Sequence, residues 1–503
     1  MRKAYTPILV GSGQYSQPKD ADPALDPLRL MIIASHNALI DAGKEKLKDL
    51  IDTVYVVNIQ SLTYEDAPGM LGDALDIKPK HTFYSAVGGN SPQMFVNLAA
   101  RAIASGKSRA ILMAGGEAIY SVRRASKGEI ALNWPEKQSP GRVDGEERQG
   151  TNSIEGTYGL FPPTHMYAFF ETAFRGASSR TIDAHRQYMG RVCEHLSRVA
   201  SQNPYSWIET AEPADVLITP TPENRYITYP YTKRMTANMF VDQSAALVMT
   251  SEEDAEQLGI DPALWVYPMG GGELNDIWYV SCRPRLHEVP AGSEASRMAL
   301  DQSGIGLDDI GIFDFYSCFP CAVEIVREEL GISENDPRDL SVTGGLPYFG
   351  GPMNNYSMHA VATVMEKIRK NPQLHAMVTS MGWYMTKHSV VIYGSKPGRY
   401  PWEEIKQKTV QQAIDEKALP EPVEKANGQL TVEAYIVIHD RSGKPERGVV
   451  MGRLNNGLRA LSDIDAEEKA LSRFEEIELV GQTGEVRFDQ DTGRNRITFT
   501  GIL

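Results

Sequence analysis

The closest pair of cysteines in this chain is Cys318-Phe-Pro-Cys321, placed after the predicted buried strand 312–315 and at the mouth of a predicted helix. A helix N-terminus stabilises a thiolate and lowers the first cysteine's pKa, so the string taken alone is a thiol–disulfide pattern. The order of elements around it does not fit a thioredoxin-like unit, and the alternative for both cysteines is a buried small hydrophobe. His388, in GWYMTKHSVVIYG, stands just before an apolar strand. An imidazole there serves either as a general base or as a hydrogen-bonding partner at the strand entrance. His165 lies among aromatic residues, while Asn354, Asn355 and His359 follow a glycine-rich turn, where donors to a substrate compete with helix capping. The four cysteines, Cys193, Cys282, Cys318 and Cys321, are too few and scattered for a disulfide framework. No second C-x-x-C or H-x-x-x-H string completes a zinc set, so no metal is expected. Neither a Walker A string nor a G-x-G-x-x-G in strand–helix context occurs.

Two similar sets of elements must position these groups. Residues 38–56 read as a helix ending at Gly43 and a buried strand, and residues 299–316 repeat this with Gly304 as the stop. Each set continues with a glycine-rich turn, VGGNSP from Val87 and VTGGLP from Val342. An alanine-rich helix and a buried strand follow in both sets. That shared order predicts a duplicated α/β fold with layered sheets and helices, its halves at 1–290 and 291–395. Residues 121–236 are too long for a connection and read as a subdomain inserted in the first half. Residues 396–428 look like a linker with a short helix. From 429 to 503 apolar and polar residues alternate between turns, which predicts a separate antiparallel β domain, a small OB-like barrel.

At 503 residues and 42% hydrophobic content the chain can bury several cores, and its net charge of −14 disfavours nucleic-acid and anionic-membrane partners. No stretch approaches the roughly 18–20 apolar residues of a membrane span. The opening MRKAYTPILVGSGQ lacks the long apolar core of a signal peptide and reads as a first strand. The cytoplasm is therefore the expected compartment.

Four strings carry a resemblance. FVNLAARAIASGKSRAILMAGGEAIYS (95–121) is similar to a core helix, strand and A-G-G-x-E turn, and NMFVDQSAALVMTSEEDAEQLGI (238–260) to a D-G-A-A-A strand. YSCFPCAVEI (316–325) is similar to an H-D-C-F or N-E-A-F loop, and TGGLPYFGGP (343–352) to S-G-G-x-x-x-x-G-H-P. In this order, over about residues 5–395, they resemble the thiolase superfamily, closest to sterol-carrier-protein-type thiolases and to type 1 thiolase-like proteins with an additional C-terminal domain. The resemblance implies an acyltransferase of the acetyl-CoA acetyltransferase type, taking CoA or an acyl-CoA as ligand with no covalently bound cofactor, as a homodimer or a monomer. It also exposes departures. The nucleophilic cysteine falls on Gly89, and 85–93 holds no cysteine. The G-H-P histidine falls on Gly351, the second cysteine near Met381, and the residue opening the H-D-C-F loop on Tyr316. Cys318 matches the cysteine of that loop, and His388 follows the altered second-cysteine turn. Cys318, His388 and Tyr316 are thus the catalytic candidates, with His165, Asn354, Asn355 and His359 as candidates for CoA contact. Losing several members of a coupled group removes most of a rate gain, so orthodox thiolysis or condensation is not expected. The competing expectation is an inactive CoA- or lipid-binding protein, or a partner subunit.

Overall fold

The computed structural model describes residues 5–402 and 407–500. Its strands in chain order are β1 (Pro7–Ser16), β2 (Ile51–Val56), β3 (His81–Tyr84), β4 (Ala110–Ala118), β5 (Tyr226–Tyr229), β6 (Tyr231–Thr232), β7 (Asp242–Ser251) and β8 (Tyr267–Asn275). They continue with β9 (Ile312–Asp314), β10 (Ala376–Gly382), β11 (Lys387–Gly394), β12 (Gly428–His439), β13 (Pro445–Leu454), β14 (Arg459–Ile464), β15 (Thr483–Asp489) and β16 (Arg494–Thr498).

Two sheets share one topology, β1-β7-β4-β2-β3 and β8-β11-β10-β9. β1, β7, β4 and β2 correspond in order to β8, β11, β10 and β9. The helices Ser91–Ala104 and Tyr356–Lys370 lie between the sheets, where Phe95, Val96, Val361, Val378 and Val391 form a shared apolar core. The helices Pro27–Asp41 and Pro290–Ser303 cover the outer faces, completing the layered αβαβα arrangement. Both outer helices begin with proline, and each is followed by a glycine at positive φ, Gly43 at 72° and Gly304 at 77°. The duplication extends to backbone contact. A Cβ on Gly11 would stand 2.1 Å from the Ala38 carbonyl oxygen, and one on Gly272 would stand 2.0 Å from that of Ala295. β1 and β8 can approach their outer helices this closely only without side chains.

The sequence boundary at 290 needs correction. β8 pairs with β11 throughout Tyr267–Asn275, so the sheets divide between Ser251 and Tyr267. The expected five-stranded barrel is present, in the order β13-β14-β16-β15-β12 and closed by pairing of β12 with β13. A register shift between Val432 and Ala434 changes which residues of β12 face inward. Leu430, Val432, Tyr435 and Val437 fill the barrel, while Ala434, Ile436 and Ile438 join the main core.

The barrel is not the separate unit that its alternating strands suggest. β5 and β6, from the inserted segment, extend its sheet through Tyr229↔Val437 and Thr228↔Ile438. The helix Pro163–Ala177 of the insertion packs on β12, where the Tyr435 amide donates to the Thr172 hydroxyl (3.1 Å). Arg175, 1% exposed, donates to Glu478 and to the Tyr229 and Tyr435 hydroxyls. The expected linker holds one helix, Gln407–Asp415, and its residues 403–406 lie outside the described residues, as do 1–4 and 501–503.

Candidate active site at the head of a core helix

The loop before the helix Ser91–Ala104 is held from three directions. Asn354 Oδ1 accepts from the Gly88 amide (3.0 Å), Lys387 Nζ donates to the Val87 carbonyl (2.9 Å), and Ser91 Oγ donates to the Gly88 carbonyl (2.7 Å). A Cβ on Gly89 would fall 2.2 Å from the Tyr316 hydroxyl and 2.6 Å from the Met381 carbonyl oxygen. Gly89, Tyr316 and Met381, remote in sequence, therefore meet at one point. The fourth altered position, Gly351, has its own neighbours, the Asn238 carbonyl and Leu346. Tyr316 is fixed by its amide, which donates to Thr379 Oγ1 (3.0 Å), and by edge contact with Tyr356. Burial pushes its phenol far above the usual range, so it stays protonated. Among the described residues that hydroxyl has no hydrogen-bond partner.

Cys318 is adjacent. Its burial favours the small-hydrophobe reading over the thiolate, since it pushes the thiol up to about 12 against only partial relief from the Tyr167 hydroxyl and nearby amides. Cys321 is likewise buried and pushed up, and all four cysteines are free. Tyr167 organises this region. Its ring stacks on Phe319 at 4.6 Å, and its hydroxyl donates to the Trp383 carbonyl (2.9 Å) while accepting from the Met385 amide (3.2 Å). Trp383 and Met385 have φ of 55° and 51°, so the tyrosine steadies a β10–β11 turn whose backbone lies in the left-handed region.

His388 sits across the strand register from Met381, and its Nε2 donates to the Met385 carbonyl (3.0 Å). Burial pulls its pKa down to about 4, which makes it a neutral, oriented imidazole and a weak base. Cys318 and His388 share no hydrogen bond; the Tyr167 hydroxyl and the 383–385 turn connect them.

A cavity of about 760 Å³ opens at the same helix head. Asn90, Ser91, Met94, Leu274, Lys387 and His388 line it, with Asp144, Glu146, Glu273, Asp415 and Glu416 giving an acid-rich rim. Burial lowers Lys387 to about 8. Of the residues expected at the site His388 lines this cavity, whereas Tyr316 and Cys318 lie behind it and His165, Asn354, Asn355 and His359 are not in its lining. Asn354 braces the Gly88 loop and donates to the Asn58 carbonyl. Asn355 donates to the Gly115 carbonyl (2.8 Å), His359 pairs with Gln14 inside the core, and His165 bonds to the Gly159 carbonyl near the barrel. Tyr167 and Lys387 were missed in the sequence. Tyr167 lies in the insertion, two residues after His165, and Lys387 directly precedes His388.

Comparison with known proteins identifies the fold and the family. Residues 409–491 match the family described as the thiolase-like protein type 1 additional C-terminal domain. The 3-ketoacyl-CoA thiolases of Shigella boydii and Escherichia coli O139:H28 are 24% identical over 147 residues, 29% of this chain and 35% of each relative. The matched region thus spans about a third of those relatives' length. The acetyl-CoA acetyltransferase from Syntrophomonas wolfei shares the fold at TM-score 0.56 and 14% identity, over 78% of this chain and all of that one. A crystal structure of a monomeric SCP2-thiolase-like protein type 1 from Mycobacterium smegmatis superposes at TM-score 0.84 and 30% identity, covering 99% of each chain. With that match running through both halves, the insertion and the barrel, the chain belongs to the thiolase superfamily, among its type 1 thiolase-like proteins.

Proposed function

We propose that this protein binds an acyl-CoA-type thioester at the head of the helix Ser91–Ala104 and handles it without a covalent acyl-enzyme. The observation that carries this reading is the Tyr316 hydroxyl, which fills the space that a side chain at position 89 would need. A nucleophile there has no room, and the nearby Cys318 is held as a thiol. What the site offers instead is a protonated phenol without a partner, suited to donate to a thioester carbonyl oxygen. Relatives named as 3-ketoacyl-CoA thiolases supply the ligand class. The cavity is of the size that encloses small ligands. Its acid-rich rim suits the neutral pantetheine arm better than the phosphates of CoA.

That same rim favours a second reading, a catalytically inactive partner subunit with no CoA affinity. Thermal-shift titration with CoA, acetyl-CoA and longer acyl-CoAs separates the two, since a ligand of the native state raises Tm by mass action. The first reading expects a saturable rise, weakened about tenfold in apparent Kd by Tyr316→Phe through the lost hydrogen bond. Intact-mass measurement after acetyl-CoA incubation should show no acetyl adduct. An adduct on the 83–93 peptide or on Cys318 would overturn the non-covalent reading, and absence of any shift would transfer support to the partner subunit.

A further inference from the structure

Three helices bring Glu171, His185 and Glu324 together in the interior, away from the cavity described above. Glu171 comes from Pro163–Ala177, His185 from Ile182–Ala200 and Glu324 from Pro320–Glu329. All three side chains are 0–1% exposed. His185 Nε2 lies 2.6 Å from Glu171 Oε1 and 3.9 Å from Glu324 Oε2, and the three ligand-capable atoms all fall within 4.8 Å of one another. The Tyr231 hydroxyl donates to the other Glu171 oxygen (2.6 Å) and fixes that carboxylate. Glu324 is the anomaly. Neither of its oxygens accepts a hydrogen bond. The nearest arginines are used elsewhere, Arg327 on the Tyr188 hydroxyl and Arg180 on Glu334.

We propose that Glu171, His185 and Glu324 form a binding site for one divalent transition-metal ion. Carboxylate and imidazole donors suit Zn²⁺, Mn²⁺ or Fe²⁺. Ligand atoms about 2.1 Å from such an ion stand roughly 3.0–3.5 Å from each other. The present separations of 2.6 and 3.9 Å lie on either side of that spacing, so small side-chain shifts suffice. Charge balances as well. A dication held by two carboxylates and an imidazole makes a group of no net charge, in an interior where an uncompensated carboxylate is costly. The ion would tie both long helices of the insertion to the helix that follows the Cys318 loop. The sequence gives no sign of this, because the ligands are spread over three helices rather than spaced along one.

The test uses tag-free, full-length protein expressed in medium supplemented with Zn²⁺, Mn²⁺ or Co²⁺, so that the ion is available while the interior forms. Elemental analysis should find about one equivalent of metal per chain. The Co²⁺ form should absorb in the visible, and metal-loaded protein should melt on the order of 5 °C above chelator-treated protein. Glu324→Gln, which keeps the shape and removes the charge, should stay folded by circular dichroism and lose the metal, the absorption and the Tm difference. The proposal fails if no sample holds stoichiometric metal, or if Glu324→Gln retains it. A metal-free wild type with an equally or more stable Glu324→Gln would show that a proton on Glu324, not a metal ion, neutralises the group.

Discussion

At Gly89 a missing side chain and a distant hydroxyl are fitted to each other, and both can be probed. Gly89→Ala places a Cβ against the Tyr316 hydroxyl and ring carbon and against the Met381 backbone. Overpacking of this kind should destabilise the protein by about 2–3 kcal/mol in denaturant melts. Adding Tyr316→Ala removes the side-chain contacts but leaves the Met381 carbonyl, so the double variant should recover part of the loss, a coupling of about 0.5–3 kcal/mol. Additive effects would mean that the two positions do not share this space. The buried histidines make a second prediction. Burial holds His388 at about 4 and His359 at about 3, both below the ordinary 6.5. The unfolded chain therefore binds more protons in this range. The stability that each neutral imidazole contributes is complete above pH 6.5 and lost as pH falls through 4 for His388 and through 3 for His359. For His388 the loss is on the order of 3 kcal/mol. Glu117, raised by burial to about 7, works in the opposite direction as pH rises, so comparison with His388→Gln isolates the histidine. That variant should show a flatter stability profile between pH 6.5 and 4; an unchanged slope would mean that His388 titrates normally.

Among the elements, the duplicated core was legible because it repeats as local patterns. A helix, a glycine stop and a buried strand each leave a signature in adjacent residues, and 38–56 and 299–316 do occupy corresponding places. β8 was assigned to the wrong half for a physical reason. Its centre is Gly270-Gly271-Gly272, where Gly270 and Gly272 lie against the helix Pro290–Ser303 and Gly271 against Asn97 and Trp402, and three glycines erase the alternation that marks a strand. β5 and β6 are four and two residues long, too short for any period. The candidate site divides in the same way. Gly89, Tyr316 and Met381 are legible from the resemblance to family strings, and the structure brings them to one point. Tyr167 and the bracing role of Asn354 depend on hydrogen bonds to residues far along the chain, and nothing local announces them. Likewise, a cysteine at a helix mouth has thiolate character only if the site stays wet. The enclosure of Cys318 by Tyr167 and Phe319 was not visible in its own segment.

Across the whole molecule, the barrel's attachment determines how the chain can be divided. The sequence predicts that a chain ending near Pro420 stays soluble, since β12–β16 carry an apolar face of their own. The structure gives them two. Ala434, Ile436, Ile438, Val449 and Met451 face the main core, and removing them uncovers apolar surface worth on the order of 10 kcal/mol, as much as a typical domain's total stability. Truncation would also strip Arg175 of Glu478 and of the Tyr435 hydroxyl, leaving a guanidinium that is 1% exposed without most of its partners. β5 and β6 would lose the strand on which they pair. The truncated chain should therefore aggregate, or elute as larger species in size-exclusion chromatography with a lowered Tm, while full-length Arg175→Met should remain soluble and lose only part of that stability. A soluble truncated chain melting at the full-length temperature would instead show that the barrel is a dispensable appendage and that its inner contacts contribute little.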